Sequence, residues 1–294
     1  MRLSVVIAVT ADDAPITRLL GALSSPARAD VEILIADGTA GGGLSSLAGD
    51  RARVLTMPGA TLPQLKGAAV ETAVGEVIAI IEPWDVPETG WVDAVLAALE
   101  DPDVAAAGGT VLYDPDGSAA DAGGYLFEYA AFAPPLKAGV TEADLPGNNV
   151  AYRRTQLHDV CADLLEAEGF NKPFFHARIR ERGGRLVIAP DMIVRHRTTH
   201  GLGALVASRH HYGRCFGATR LAHTSGRRRL LYRVFAPVLP VLLVLRYVAR
   251  AWRPRTRRLL LSGGPALMLI SAGWGLGEWF GYWFGAGRSC GKCH

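Results

Sequence analysis

Along the first two hundred positions, apolar residues gather in short runs separated by stretches with helical spacing. Leu3 to Val9, Val31 to Ala36, Arg53 to Met57 and Val77 to Ile81 are runs of β-formers and read as strands. The last is continuous, which fits a strand buried on both faces of a mostly parallel sheet. Between the strands, Ala14 to Leu23, with Asp12 or Asp13 placed to cap it, and Leu62 to Ala73 read as helices. The alternation predicts an α/β fold with a Rossmann-like, mostly parallel sheet. Beyond it, Trp91 to Leu99 reads as a helix, Val104 to Tyr113 as a strand, and Asp114 to Gly124 as a surface loop. Thr155 starts a helix reaching about Glu168, Phe174 to Arg182 forms another, and Arg185 to Ala189 is a strand followed by a returning segment to His196.

The pattern changes after about residue 225. Leu230 to Trp252 is apolar but interrupted by Arg233, Arg246 and Arg250, and its unbroken part, Val234 to Leu245, is about 12 residues against the roughly 20 a spanning helix needs. This segment is expected to lie in a membrane interface with its arginines snorkelling, or to enter partway. Leu259 to Gly277 carries no charge and is followed by Glu278 and the aromatic cluster Trp279, Phe280, Tyr282, Trp283 and Phe284, as in a transmembrane helix with an aromatic belt over 259–284. If the basic clusters 227–229 and 253–258 both stay cytoplasmic, only the second segment crosses; a two-helix hairpin is the other arrangement. The sequence thus divides into residues 1–225, an α/β domain, and 226–294, a membrane-associated helical region.

Charge sharpens this division. Up to Val150 there are 7 Lys and Arg against 21 Asp and Glu, and afterwards 24 against 7. Met192 to Gly277 contains no acid. A one-sided basic half beside apolar segments implies membrane lipids or an anionic lipid-linked partner, and no zinc-finger or RNA-binding signature points to nucleic acid. The mean hydropathy of +0.17, high for a soluble enzyme, comes from the same end. Among the four cysteines, Cys161 and Cys215 read as small apolar residues, and a disulfide framework is not expected. Cys290 to His294 matches the short c-type haem attachment pattern, a match that chance or an adventitious thiol metal site also explains. Leu3 to Val9 is too short, and too soon followed by Asp12 and Asp13, to be a signal peptide.

Candidate chemistry collects at strand ends. Glu82 and Asp85 follow the buried strand, where Pro83 and Pro87 turn the chain. Hard oxygen donors at the carboxyl edge of an open sheet suit Mg²⁺ or Mn²⁺ bridging a diphosphate, and they equally suit a solvated loop. Asp37, just past the second strand, can accept from a ribose or base edge, or simply build an Asp-Gly turn. Lys66 can meet a phosphate, Asn148 and Asn149 can grip sugar hydroxyls, and His196 can complete a carboxylate metal site. Arg209, His210, His211, Tyr212 and Arg214 form a basic-aromatic ledge suited to an acceptor's phosphate or to lipid headgroups.

In order and spacing, Leu3 to Val9, Asp37-Gly38-Thr39, Gly75-Glu76 with the following strand and acids, Pro146-Gly147-Asn148-Asn149-Val150-Ala151-Tyr152-Arg153, and Arg182-Gly183-Gly184 through Pro190 to His196 resemble the family 2 glycosyltransferases of GT-A fold. The resemblance covers residues 1 to about 225 and is nearest to a bacterial subgroup with a C-terminal membrane hairpin. It implies a nucleotide-sugar donor, a lipid-linked or polysaccharide acceptor, a divalent metal at Glu82, Asp85 and His196, nucleotide contacts from Asp37 and Lys66, and substrate contacts from Asn148, Asn149 and Arg153. It also implies an inverting enzyme at the cell inner membrane with its catalytic domain cytoplasmic. Two departures stand out. The acidic turn reads Glu82-Pro83-Trp84-Asp85 in place of Asp-X-Asp or Glu-Asp-His, and the position of the catalytic base falls on Lys172, an ammonium with no lone pair at neutral pH. Glu168 is the nearest substitute. A protein that kept the fold as a membrane-docked scaffold without catalysis is the alternative.

Overall fold

The computed structural model describes residues 1–10, 15–24, 28–197, 200–222, 224–252 and 256–292, and for Ala167, Glu168 and Ala222 the backbone alone. The proposed cap at Asp12 or Asp13 lies outside the described residues.

The chain opens with β1 (Leu3–Val9), α1 (Ile16–Leu23), β2 (Val31–Asp37), α2 (Leu44–Ala48), β3 (Arg53–Thr56), α3 (Leu62–Thr72), β4 (Val77–Ile81), β5 (Asp85–Pro87) and α4 (Trp91–Ala98). It continues with β6 (Val104–Tyr113), α5 (Ala119–Glu128), β7 (Gly139–Val140), β8 (Asn149–Arg153), α6 (Ala162–Glu168), α7 (Lys172–Glu181) and β9 (Arg185–His196). The remainder is helical: α8 (Leu202–Ala222), α9 (Gly226–Phe235), α10 (Leu239–Ala251) and α11 (Leu259–Phe284). Two compact units result. One holds 1–112 and 134–196; the other holds 113–133 and 197–294, so the break falls at Arg197 where the sequence placed it near 225.

The first unit is built on one sheet in the order β3-β2-β1-β4-β8-β6-β9-β5, with β7 on β9. β3, β2, β1 and β4 are parallel, as their βα alternation requires. β8 is antiparallel to both β4 and β6, so the sheet becomes mixed past its centre. β1 and β4 are buried along their whole length, which explains why both read as unbroken apolar runs. Gln64 Oε1 accepts from the Thr61 backbone N–H (2.9 Å) at the start of α3, fixing the turn that precedes Lys66.

The expected loop at 114–124 is instead partly helix. Ser118 N–H donates to Asp121 Oδ2 (2.8 Å) and Asp121 N–H donates back to Ser118 Oγ (3.2 Å), a capping box that starts α5 despite its two glycines. The second unit gathers α5, α8, α10 and α11 around Leu126, Phe127, Leu205, Leu267 and Ile270. α8 and α11 run side by side in the same direction: a Cβ placed on Gly277 would lie 2.1 Å from His210 O, on Gly281 2.3 Å from Arg214 O, and on Gly213 2.3 Å from Trp274 O. Glycines at a spacing of four on α11, with Gly213 and Gly217 on α8, are therefore what lets the two backbones touch. Buried Glu278 accepts from Trp274 Nε1 (3.1 Å) and from the Tyr282 hydroxyl, with Arg220 Nη1 3.3 Å away.

Two stretches, Gly226–Ala251 and Leu259–Phe284, are long and apolar enough to cross a membrane. Each also has an outward stripe: Val234, Phe235, Val238, Val241, Leu242 and Leu245 on one, Leu261, Met268, Leu269, Leu276, Phe280 and Phe284 on the other, all exposed. The disulfide reading is corrected here. Cys215 on α8 is bonded to Cys290 beyond α11, with Cα atoms 5.1 Å apart, which removes Cys290 from any haem attachment; Cys293 and His294 lie outside the described residues.

If close backbone contact holds α8 to α11, Gly277→Leu should destabilise by at least the about 1–3 kcal/mol typical of overpacking. Gly264→Ala, at a helical site with nothing within 4 Å, should be neutral or slightly stabilising. Thermal unfolding of the detergent-solubilised protein compares the two; equal melting temperatures would remove the glycine contact as a constraint.

Candidate active site

β4 delivers Glu82 to the carboxyl edge of the sheet, and a tight turn follows in which Asp85 N–H donates to Glu82 O (3.0 Å) and Glu82 N–H donates to Asp85 Oδ2 (3.2 Å). Asp85 then begins β5, which pairs with the last residues of β9 so that Asp85 stands opposite His196. Their side chains meet directly, His196 Nδ1 lying 2.7 Å from Asp85 Oδ1. Asn148 Nδ2 donates to the same oxygen (3.0 Å). Glu82, Asp85 and His196 can each aim one ligand atom so that all three lie within 4.8 Å of one another. Burial raises the Asp85 carboxyl to about 6, helped by the Glu82 charge and opposed by His196 and Asn148. His196 Nδ1 and Asp85 Oδ1 face one another directly, so an ion held by both side chains would replace the hydrogen bond between them. Two carboxylates and an imidazole converging at the carboxyl edge of the sheet fit a divalent cation.

Asp37 ends β2 at the same edge, its register running through Val9 of β1 to β4. Its Oδ1 accepts from Thr39 N–H (2.9 Å) and Thr39 Oγ1 (2.6 Å), whereas its buried Oδ2 has no partner among the described residues. One oxygen thus builds the turn, and the other remains buried without a hydrogen-bond partner among the described residues. Lys66 is 8% exposed, with Nζ 3.9 Å from Glu82 Oε1.

Other expected contacts have different surroundings. Asn149 is buried, and its amide is spent on accepting from Trp91 Nε1 (2.9 Å) and donating to Thr110 O (3.0 Å) and Met192 O (2.7 Å), so it ties β8, α4, β6 and β9 together rather than facing a sugar. Asn148 Oδ1, by contrast, is buried without a partner among the described residues. Arg153 pairs with Val77 at the far end of β4 and donates to Leu99 O (2.8 Å) and Asp101 O (3.0 Å), four residues along the strand from Asn149. Arg209, Tyr212 and Arg214 belong to α8 of the second unit. Arg209 pairs with Glu128 and stacks over Tyr212, and Arg214 Nε donates to Gly285 O (2.9 Å). The backbone of Glu168 ends α6, and its side chain lies outside the described residues.

Sequence reading missed a clasp on α7. Lys172 Nζ donates to Leu145 O (2.6 Å), His176 Nδ1 lies 2.7 Å from Asp144 Oδ1, and Arg180 Nη2 donates to Ala143 O (2.7 Å). The signal was available, since 172, 176 and 180 are one face at helical spacing. His176 Nε2 also lies 2.7 Å from the Tyr152 hydroxyl. This clasp fixes the segment that leads into Asn148. Burial lowers the His176 ring below its ordinary range, against the raising pull of Asp144, and lowers Lys172 as well.

No known protein-family description matches the chain, and no curated protein matches it in sequence. Solved structures do. The mannosyltransferase PcManGT from Pyrobaculum calidifontis, in complex with GDP-Man and Mn²⁺, matches 96% of this chain and 87% of its own at 15% identity and a TM-score of 0.59. S. aureus TarS 1-349 in complex with UDP-GlcNAc matches over 95% and 90% at 12% identity and 0.53. GalNAc-T7 with UDP, GalNAc and Mn²⁺ matches 67% of this chain and 44% of its own at 13% identity and 0.52. The chain has the GT-A glycosyltransferase fold with apolar C-terminal helices.

Two outcomes follow. A divalent ion at 100 times its Kd should stabilise the protein by about 2.7 kcal/mol, and Asp85→Asn should abolish that metal-dependent shift in melting temperature. Asp85, raised in the folded state, contributes the opposite slope; because burial lowers the His176 ring, the unfolded chain binds that proton first, and the His176 contribution to stability should fall as pH drops below about 6.5. His176→Gln should flatten that slope in denaturant titrations at pH 7.5 and 5.5.

Proposed function

We propose that the chain is a family 2 glycosyltransferase that moves a sugar from a nucleoside-diphosphate donor to a lipid-linked or cell-envelope acceptor. The observation that carries this is the convergence of Glu82, Asp85 and His196 at the carboxyl edge of β4 within a GT-A fold. These three residues would hold a divalent ion, whose charge neutralises the leaving diphosphate. The imidazole favours Mn²⁺ over Mg²⁺, which prefers oxygen ligands and water. Asp37, through its unpartnered Oδ2, and Lys66 would bind the nucleotide, while Asn148 orients Asp85 and offers its own carbonyl oxygen. Inversion would follow from in-line attack, and for a hydroxyl acceptor the base would be Glu168. The exposed apolar stripes on the second unit, with the acid-free basic run 192–277, would hold the enzyme at the cytoplasmic face of the inner membrane.

Lys172 at the start of α7 favours one second reading, a non-catalytic descendant that binds nucleotide sugar at the membrane. A donor screen separates the two. Purified protein in detergent is incubated with GDP-mannose or UDP-N-acetylglucosamine and Mn²⁺, Mg²⁺ or EDTA. The transferase should release nucleoside diphosphate from one donor in a metal-dependent way, and Asp85→Asn should lower that release at least a hundredfold. Metal-dependent nucleotide binding without release would leave the non-catalytic reading standing.

A further inference from the structure

Beyond α11 the chain folds back onto α8. Gly285 and Gly287 have left-handed φ of 71° and 53°, the conformation that ends a helix and reverses its chain. Arg214 Nε donates to Gly285 O (2.9 Å), and a Cβ on Gly287 would lie 2.9 Å from Arg214 Nη2. His211 Nδ1 lies 3.1 Å from the Oγ of Ser289, which is buried. Ser289 N–H donates to Ala286 O (3.0 Å) and Lys292 N–H to Ser289 O (3.0 Å), winding the short turn that carries Cys290. The bond from Cys290 to Cys215 closes this seat.

Exposure, charge and spacing make that bond a point of exchange rather than a fixed staple. Cys290 is exposed and Cys215 half-buried, so an incoming thiolate reaches Cys290 Sγ more readily. Arg214, Arg288 and Lys292 flank the two cysteines, and residues 285–294 contain no acid. Positive charge stabilises the thiolates that cleavage of a disulfide releases. In sequence, Cys290 is also half of Cys290-Gly291-Lys292-Cys293, the Cys-x-x-Cys spacing of thiols that trade disulfides. Cys161 is buried in the first unit and takes no part.

We propose that Cys215–Cys290 is a site of thiol–disulfide exchange, opened by a dithiol, whose state decides whether the tail 285–292 is seated on α8. One thiolate of the dithiol attacks Cys290 Sγ, and a sulfur–sulfur bond forms there as the bond to Cys215 breaks. Cys215 leaves as a thiolate. The second thiolate of the dithiol then displaces Cys290 from the mixed disulfide. Two electrons pass to the cysteine pair, which takes up the two protons the dithiol gave up, and the dithiol ends as a disulfide. A disulfide oxidant reverses each step, so the seated tail belongs to oxidising conditions and the released tail to reducing ones. The site lies wholly in the second unit and does not depend on the transferase reading.

The test uses the full-length protein, oxidised and in detergent. Dithiothreitol is the dithiol probe, N-ethylmaleimide labels the thiols it frees, and peptide mass spectrometry reads the label at each cysteine. Cys215 and Cys290 should both become labelled while buried Cys161 stays unlabelled and reports a folded first unit. Label that reaches Cys215 and Cys290 only together with Cys161, in unfolded chain, overturns the proposal. Trypsin then reads the seat of the tail through cleavage after Arg288. The reduced, labelled protein and C215S should each be cut there at least tenfold faster than the oxidised wild type. Cleavage after Arg220 of α8 should be equally slow in all three, showing that the tail alone has moved. Oxidised glutathione, added to reduced and unlabelled protein, should restore slow cleavage after Arg288. C215S cut as slowly as the oxidised wild type, cleavage after Arg220 that rises in step with that after Arg288, or no recovery on reoxidation would each overturn the proposal.

Discussion

The pairing of the three-residue β5 with the end of β9 sets the geometry of the first unit's functional edge. A register slip of one residue would turn Asp85 away from His196 and leave a wholly buried carboxylate without its imidazole. Removing one partner of such a pair costs about 3–5 kcal/mol, so the register is strongly enforced. Asn149 guards it from below, because its one amide joins the strands on which β9 depends to Trp91 of α4. The residues that hold this sheet together and the residues that would hold an ion are neighbours in sequence: Asn149 does the first task and Asn148 assists the second.

Much of this was legible in the sequence because the relevant signals are local. β1 and β4 announce themselves as unbroken apolar runs, and Glu82 and Asp85 follow a strand that two prolines end. His196 was identifiable only as a strand terminus; that it faces Asp85 is a tertiary fact separated by 111 residues. The same distance problem hid the roles of Asn149 and Arg153. Both sit in a polar motif, which reads as binding, yet burial in one case and position at the far strand end in the other give them backbone carbonyls as partners. The disulfide was missed because Cys215 lies within a helix and Cys290 near the tail, a pairing that spacing cannot foresee. The helix at α5 was missed for a smaller reason: its glycines outweighed a Ser-x-x-Asp capping box.

The α7 clasp changes how the departure at Lys172 is understood. A lysine in place of an acid looks like loss when considered alone. With His176 and Arg180 it forms a polar face that secures 143–145. One side chain thus contributes to both packing and local charge.

The contact between α8 and α11 bears on what hydropathy can report. Because the two helices touch along their backbones in the same direction, α11 has no depth of its own. His210 and Arg214 stand level with Gly277 and Gly281 in the last turns of α11, so the charged residues of α8 accompany the carboxyl end of the apolar helix. The uncharged run that resembles a membrane anchor owes its glycines to a neighbouring helix, and its exposed apolar residues form one outer stripe. Hydropathy counts these glycines among the apolar residues, yet in the fold they mark where one helix backbone meets another.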